Sequence, residues 1–330
     1  MAIIGRRRYR IGLKHHRFYP NRRSRSILVG MSTQRLLEKE YRERVMRAVA
    51  HIEANLGNPL PLEEAAERAS WSYFHFHRVF SAVIGVPPGE YLRMRRLTEG
   101  TRLLALRSLS IAAIAERVGF GSVEAFHRSF KAEFGKTPAE YRRSSGNLAL
   151  MNPFTPVERP LVHIAGCLAG EPVIERFGPV RLLCAREEFV LEQPALSIGI
   201  HTLWERNWNL LVSAAGQPLV RQYGLAEPSP GSAGKAIVYY AGVEAREGVP
   251  EDGGLVPYVI PEGEYLRALH RGPSSKLNET YLYLYGTWLP RHGREPGMAM
   301  DFDVYDERYD NDNRESPLSE VTFRIPLAPA

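Results

Sequence analysis

Two short stretches set a histidine beside an arginine between phenylalanines: Phe76-His77-Arg78-Val79-Phe80 and Phe126-His127-Arg128-Ser129-Phe130. On a helix, phenylalanines four apart share one face and bury it, leaving the His-Arg pair on the outer side. That outer side offers donors to base edges and phosphates, and arginine suits a guanine edge or a phosphate. The chemistry predicted for these residues is hydrogen-bonded recognition of a nucleic acid.

Each pair sits inside a longer repeat that must position it. Leu62 to Trp71 parallels Ile111 to Phe120, with Ala66-Glu67-Arg68 recurring as Ala115-Glu116-Arg117. Small residues line the packing face of each first helix, and an aromatic, Trp71 or Phe120, plugs its end. Ser72 and Ser122 follow as N-caps, their hydroxyls accepting an orphan backbone N–H. Gly85 and Gly135 stop the second helix. Pro88-Gly89-Glu90-Tyr91 and Pro138-Ala139-Glu140-Tyr141 come next. Helix, tight turn and capped helix therefore occur twice, the layout of a helix-turn-helix whose second helix enters the major groove. Glu90 to Arg107 reads as one helix, about 27 Å long at ~1.5 Å per residue. Such a strut suits two recognition helices held one DNA turn, roughly 34 Å, apart. Upstream, Leu37, Tyr41, Val45, Val49 and Ile52 recur at helical spacing until Asn58-Pro59 breaks the pattern. Both His-Arg surfaces are expected to project from one rigid body towards the same side of a duplex. His75 is expected at the helix surface and not as a metal ligand.

Charge agrees with this division. The 330 residues carry a net charge of +6, but residues 1–150 hold 27 Lys and Arg against 13 Asp and Glu, and the remainder 16 against 24. A basic half joined to an acidic half suits a nucleic-acid module attached to something else. Residues 1–34 read as a basic disordered arm, with Met31 as an alternative start. No run of ~18 apolar residues is present to span a membrane, and Ile27-Leu28-Val29 is too short for a signal-peptide core. Cys167 and Cys184 give neither a disulfide framework nor a metal spacing. A cytoplasmic protein without cofactor or metal is expected.

Residues 146–156 read as a linker, and from 157 to 330 the pattern changes to short β-like runs. Strands are predicted at Val173–Arg176, Val180–Ala185, Ala195–Ile200, Ala236–Ala241, Val256–Ile260, Tyr265–His270, Met300–Tyr305 and Ser319–Ile325. Helices are predicted at Thr202–Ser213 and Ser274–Leu289. A weak repeat, Val173 to Arg186 beside Tyr258 to Arg271, points to an α+β domain of two similar halves around a groove. Trp204, Trp208, Tyr258, Tyr283, Trp288 and Tyr305 suit stacking on a cation. Asp301, Asp303, Asp306 and Glu307 add negative charge nearby. The alternative is that the aromatics are core and the acids a solvated loop.

The segment Ile114 to Arg142 closely follows a family signature. Through it, residues 35–145 resemble the DNA-binding domain of AraC/XylS regulators: an all-α, homeodomain-like double helix-turn-helix. The resemblance implies base contacts from Ser72, Tyr73, Phe74, His77 and Arg78, and from Ser122, Val123, Glu124, His127 and Arg128. Arg78 leads, as a partner for guanine or phosphate, and Glu124 suits cytosine. Residues 172–328 resemble the gyrase-inhibitor-like (GyrI-like) effector-binding domain through Tyr265 to His270, Arg271-Gly272-Pro273, Tyr285 to Pro290 and Phe323 to Leu327. This implies an amphipathic or cationic small molecule held between the halves by aromatics and an acid, here Trp204, Trp208, Tyr258, Trp288, Tyr305 and Glu320. The implied function is regulation of transcription at promoter DNA, modulated by a small molecule, with RNA polymerase as a partner. Two other readings stand beside it. One is a hydrolase of DNA-alkylating compounds using Glu320 with His270 or Tyr305; the other is a domain that binds protein alone.

Overall fold

The computed structural model describes residues 39–106, 108–144, 166–190, 196–216, 221–229, 236–245, 254–297 and 300–329. The expected basic arm and linker lie outside the described residues. The first helix, α1 (residues 39–54), buries the anticipated stripe of Tyr41, Val45, Val49 and Ile52. Then come α2 (Leu62–Arg68), α3 (Tyr73–Ile84), the strut α4 (Pro88–Leu106), α5 (Ile111–Arg117), α6 (Val123–Phe134) and α7 (Pro138–Ser144). The caps fall where the sequence sets them. The Ser72 hydroxyl accepts from the His75 N–H, and the Ser122 hydroxyl from the Ala125 N–H. Gly85 (φ 90°) and Gly135 (φ 69°) end α3 and α6 in the left-handed region, where a Cβ is penalised. Arg95, only 2% exposed, ties α4 to α1 through both oxygens of Glu53, at 2.8 and 2.9 Å.

The C-terminal region folds as β1 (Val173–Phe177), β2 (Val180–Val190), α8 (Leu196–Ala215), β3 (Gln222–Pro228), β4 (Ala236–Glu244), β5 (Val256–Ile260) and β6 (Gly263–Arg271). After these come α9 (Leu277–Tyr283), β7 (Phe302–Tyr305) and β8 (Glu320–Pro326). Helix α9 runs through a wide π-helical turn, Leu284–Trp288, into the short α10 (Leu289–His292). The strands form one antiparallel sheet in the order β1-β6-β8-β7-β3-β4-β2-β5. Exchanging β1 to β4 with β5 to β8 reproduces that order read backwards, so the two halves are related by a pseudo-twofold between β3 and β7. Each half lends its first strand to the other: β1 pairs with β6, and β5 with β2. Helix α8 packs on β2 and β4, and α9 with its extension packs under β6 and β8. A channel over β3 and β7 is left between them.

Two differences from the sequence reading have clear causes. The strand expected at Ala195–Ile200 is not formed over its described residues, because α8 begins at Leu196. Leu196, Ile198 and Ile200 alternate as in a strand, yet Ile198 is 65% exposed and burial falls on Leu203 and Leu211 with Ile200 packed beside them, a helical spacing. Strand β3 was not anticipated, because Gly224, Glu227 and Pro228 break the β pattern. It forms because β4 and β7 pair with it on both edges.

The cores are divided unevenly. Helices α1 to α3 share one continuous apolar cluster with Tyr281, Tyr285, Trp288 and Leu289 of the C-terminal region and with Val321, Phe323 and Ile325 of β8. The second helix-turn-helix has its own cluster around Phe126 and Phe130.

Candidate nucleic-acid interface and ligand groove

The groove between α8 and α9 has two connected parts. One is a chamber of about 470 Å³ lined by Trp204 and Trp208 of α8, Leu277 of α9, and Tyr305 and Tyr309. The other is a cavity of about 200 Å³ lined by Leu196, Gly224, Tyr281, Asp301 and Asp303. Ile200, Tyr239 and Asp303 border both. Gly224 faces Asp303 across the central strand pair, and a Cβ there would overlap the Tyr239 hydroxyl. The floor therefore needs a residue without a side chain.

Two carboxyls supply the charge. Period-two alternation turns Asp301, Asp303 and Tyr305 to the groove and Phe302 and Val304 to the opposite core. Asp301 is 2% exposed and accepts from the Tyr285 hydroxyl at 3.2 Å. Asp303 accepts from Tyr281 at 2.6 Å and Tyr305 at 3.4 Å. Burial pushes the Asp303 carboxyl up to about 7, against the opposing pull of the tyrosine hydroxyl. Burial raises Asp301 as well, while Arg78 works the other way.

Arg78 comes from α3, whose first turns close the 200 Å³ cavity with Tyr73, Phe74, His77 and Arg78. The Arg78 Nε lies 3.5 Å from Asp301 Oδ2, and its side chain is 24% exposed. Its guanidinium carbon sits 3.9 Å from the centre of the Tyr281 ring and 5.3 Å from that of Phe74. Burial works against the Arg78 charge, but Asp301, then Tyr281, Tyr285 and Asp303, outweigh it and raise the guanidinium above its ordinary value. Next to it His75 is buried, with Nδ1 2.9 Å from the Ser72 hydroxyl and its ring 6.3 Å from that of Tyr285. This corrects the expectation of a surface residue: His75 faces the C-terminal region. Burial, with Arg78 second, lowers both His75 and His77 to about 4. A second anchor holds the same helices. Glu295 accepts from the Trp71 indole at 3.0 Å and from Arg44 at 2.5 Å, and Arg44 stacks 4.1 Å over Trp71.

The other recognition helix stands differently. On α6, Ser122, Glu124 and Arg128 are exposed, Val123 and His127 are half-buried, and Phe126 and Phe130 point inward. The expectation of two open His-Arg surfaces is thus met only by α6; that of α3 is covered, by the second domain and not by its own core.

Of the six residues expected around a small molecule, Trp204, Trp208 and Tyr305 line the groove. Tyr258 does not: it lies on β5 against Tyr240, at 5.3 Å, in the core beneath the sheet. Trp288 is 5% exposed, stacked on His292 at 3.9 Å. Glu320 pairs with Arg271 and Arg308. Phe323 packs towards the helices, so strand parity turns Glu320, Thr322 and Arg324 to the other side. Sequence reasoning singled out neither Tyr239 nor Tyr281, and treated Asp301 and Asp303 as nearby charge only. The alternation Asp301-x-Asp303-x-Tyr305 was the available signal.

The hydrolytic trio is not assembled either. His270 is fully buried with Nδ1 2.7 Å from the Thr280 hydroxyl, Tyr305 donates to Asp303, and Glu320 faces away. Among the described residues no group of three or more His, Cys, Asp or Glu is placed to hold a metal ion, and no helix is long and apolar enough to cross a membrane.

Comparison with known proteins agrees with the two-part architecture. A family described as a helix-turn-helix domain matches residues 65–144, and the GyrI-like small molecule binding domain matches residues 170–326. The transcriptional regulator Rob of Salmonella typhimurium is 27% identical over 282 residues, covering 84% of this chain and 95% of that protein. The HTH-type transcriptional activator AarP of Providencia stuartii is 37% identical over 105 residues, 31% of this chain and 78% of its own. The multiple antibiotic resistance protein MarA of Escherichia coli is 38% identical over 94 residues, 28% of this chain and 74% of its own.

Proposed function

The chain belongs to the AraC/XylS family of transcriptional regulators, and from that premise we propose that its groove takes an amphipathic organic cation as effector. It is a DNA-binding regulator with a C-terminal small-molecule-binding domain. The observation that carries the ligand class is the pair Asp301 and Asp303 inside a groove walled by aromatic rings. An uncompensated buried charge costs several kcal/mol, and ring faces attract cations. With Arg78 set against Asp301, a neutral ligand still leaves two carboxyls to one guanidinium, and an anion opposes them. A cation with an apolar body satisfies both features of the lining.

For DNA, we assign contacts to Ser72, Tyr73, Phe74, His77 and Arg78 of α3 and to Ser122, Val123, Glu124, His127 and Arg128 of α6. RNA polymerase is the partner through which promoter binding acts, the cytoplasm is where it acts, and the protein is a sensor without catalytic activity. Calorimetric titration of the full chain with tetraphenylphosphonium and with neutral triphenylphosphine oxide tests the groove. Binding of the cation, lost in Asp303→Asn and absent for the neutral compound, is expected. Equal binding of the two compounds contradicts a charge-selective site.

A further inference from the structure

Arg78 cannot lie in this groove and in a DNA major groove at once. Its guanidinium occupies the position a bound cation would take, stacked on Tyr281 and facing Asp301. We propose that Arg78 is an internal ligand of the effector groove, holding the first recognition helix off DNA, so that an organic cation and promoter DNA bind cooperatively by evicting it. This rests on the reading of the groove as a cation site.

Three features support displacement. Among the described residues no other cation pairs with Asp301: if Arg78 leaves alone, the buried carboxyl keeps only the Tyr285 hydroxyl, so the protein without effector favours the closed arrangement. The hold is also exchangeable. The Nε–Oδ2 separation of 3.5 Å is longer than a good charge-assisted hydrogen bond, so a cation with closer contact competes on favourable terms. Finally, there is a route. The 470 Å³ chamber meets the Arg78 cavity at Asp303, so a cation reaches Asp303 and Tyr305 before α3 has moved. A second positive charge beside Arg78 then weakens its tie to Asp301.

The consequence is specific. Helix α6 keeps Arg128 exposed while α3 is docked, so the closed protein engages DNA through one recognition helix and the released protein through two. Thermodynamic linkage makes the coupling reciprocal: the factor by which cation tightens DNA binding is the factor by which DNA tightens cation binding.

The test uses the full chain and a duplex selected from a random pool with tetraphenylphosphonium present. DNA affinity and nuclease footprint are then measured with and without saturating cation. We expect wild type to bind at least ~10-fold more tightly with cation and its footprint to lengthen by about one helical turn, roughly 10 base pairs. Glu295→Gln weakens the second anchor without touching the groove. It is expected to raise DNA affinity in the absence of cation and to shrink the effect of adding it. The wild-type footprint needs no variant and stands even if the substitution unfolds the protein. Cation and DNA binding independently in wild type, or opposing each other, overturns the internal-ligand role while leaving the groove intact. Failure of both wild type and Glu295→Gln to bind the cation removes the groove reading itself, and the proposal with it.

Discussion

The two helix-turn-helix motifs share a sequence logic and differ in circumstance. Both have a serine cap, a Phe-x-x-x-Phe inner stripe, a His-Arg outer pair and a left-handed glycine stop. The first shares its core with the C-terminal domain and has its outer face in the groove; the second has a separate core and an exposed Arg128. Local sequence sets what a recognition helix is, while distant residues, here Asp301, Tyr281 and Glu295, set whether it is available.

The largest expected effect comes from the cores. Phe76 and Phe126 are both fully buried, and each replacement by alanine is expected to cost about 3–5 kcal/mol. Hydrogen exchange would separate the two. Phe76→Ala is expected to raise exchange in α1 to α3 together with α9 and β8, whereas Phe126→Ala loosens α5 to α7 with the C-terminal half of α4, against which it packs. Matching patterns would break the comparison.

Next come the arginines. Arg128→Ala is expected to weaken specific DNA binding by ~1–3 kcal/mol whether or not an organic cation is present. Arg78→Ala removes a DNA contact and a docking contact together, so its loss is expected to be small without cation and to approach that of Arg128→Ala with it. Affinities at one fixed salt concentration check both, because phosphate contacts make binding steeply salt-dependent.

The groove itself has a pH signature. The folded Asp303 sits near 7, above an ordinary carboxyl, so the folded protein prefers it protonated. Its contribution to stability is present at low pH and fades as pH rises through about 7. A cation prefers the ionised form, so affinity for tetraphenylphosphonium is expected to climb between mildly acidic and mildly alkaline pH, by up to about tenfold per unit. Titrations of wild type beside Asp303→Asn check this, and a flat wild-type profile would speak against Asp303 as a cation contact. The smallest effect belongs to the caps: Ser72→Ala and Ser122→Ala are expected to cost about 1 kcal/mol each in thermal unfolding.

Much of this was legible in the sequence, because the features are local. The caps, glycine stops and aromatic plugs specify the helical repeat within a few residues. The half-repeat of the C-terminal domain was visible, although its strand exchange was not, since β1 and β5 pair with distant partners. Trp204, Trp208 and Tyr305 were found by residue type. Tyr258, Trp288 and Glu320 were misplaced because type alone does not say which sheet face a side chain takes. The docking of Arg78 has no local signal: an arginine suited to a phosphate is equally suited to Asp301, and only the fold brings the two together.

The most direct measurement of the coupling is the affinity of wild-type protein for tetraphenylphosphonium with and without saturating selected DNA. The expected result is tighter cation binding in the presence of DNA, by the same factor that the cation tightens DNA binding. An affinity unchanged by DNA, with both ligands bound, would contradict Arg78 as the groove's internal cation.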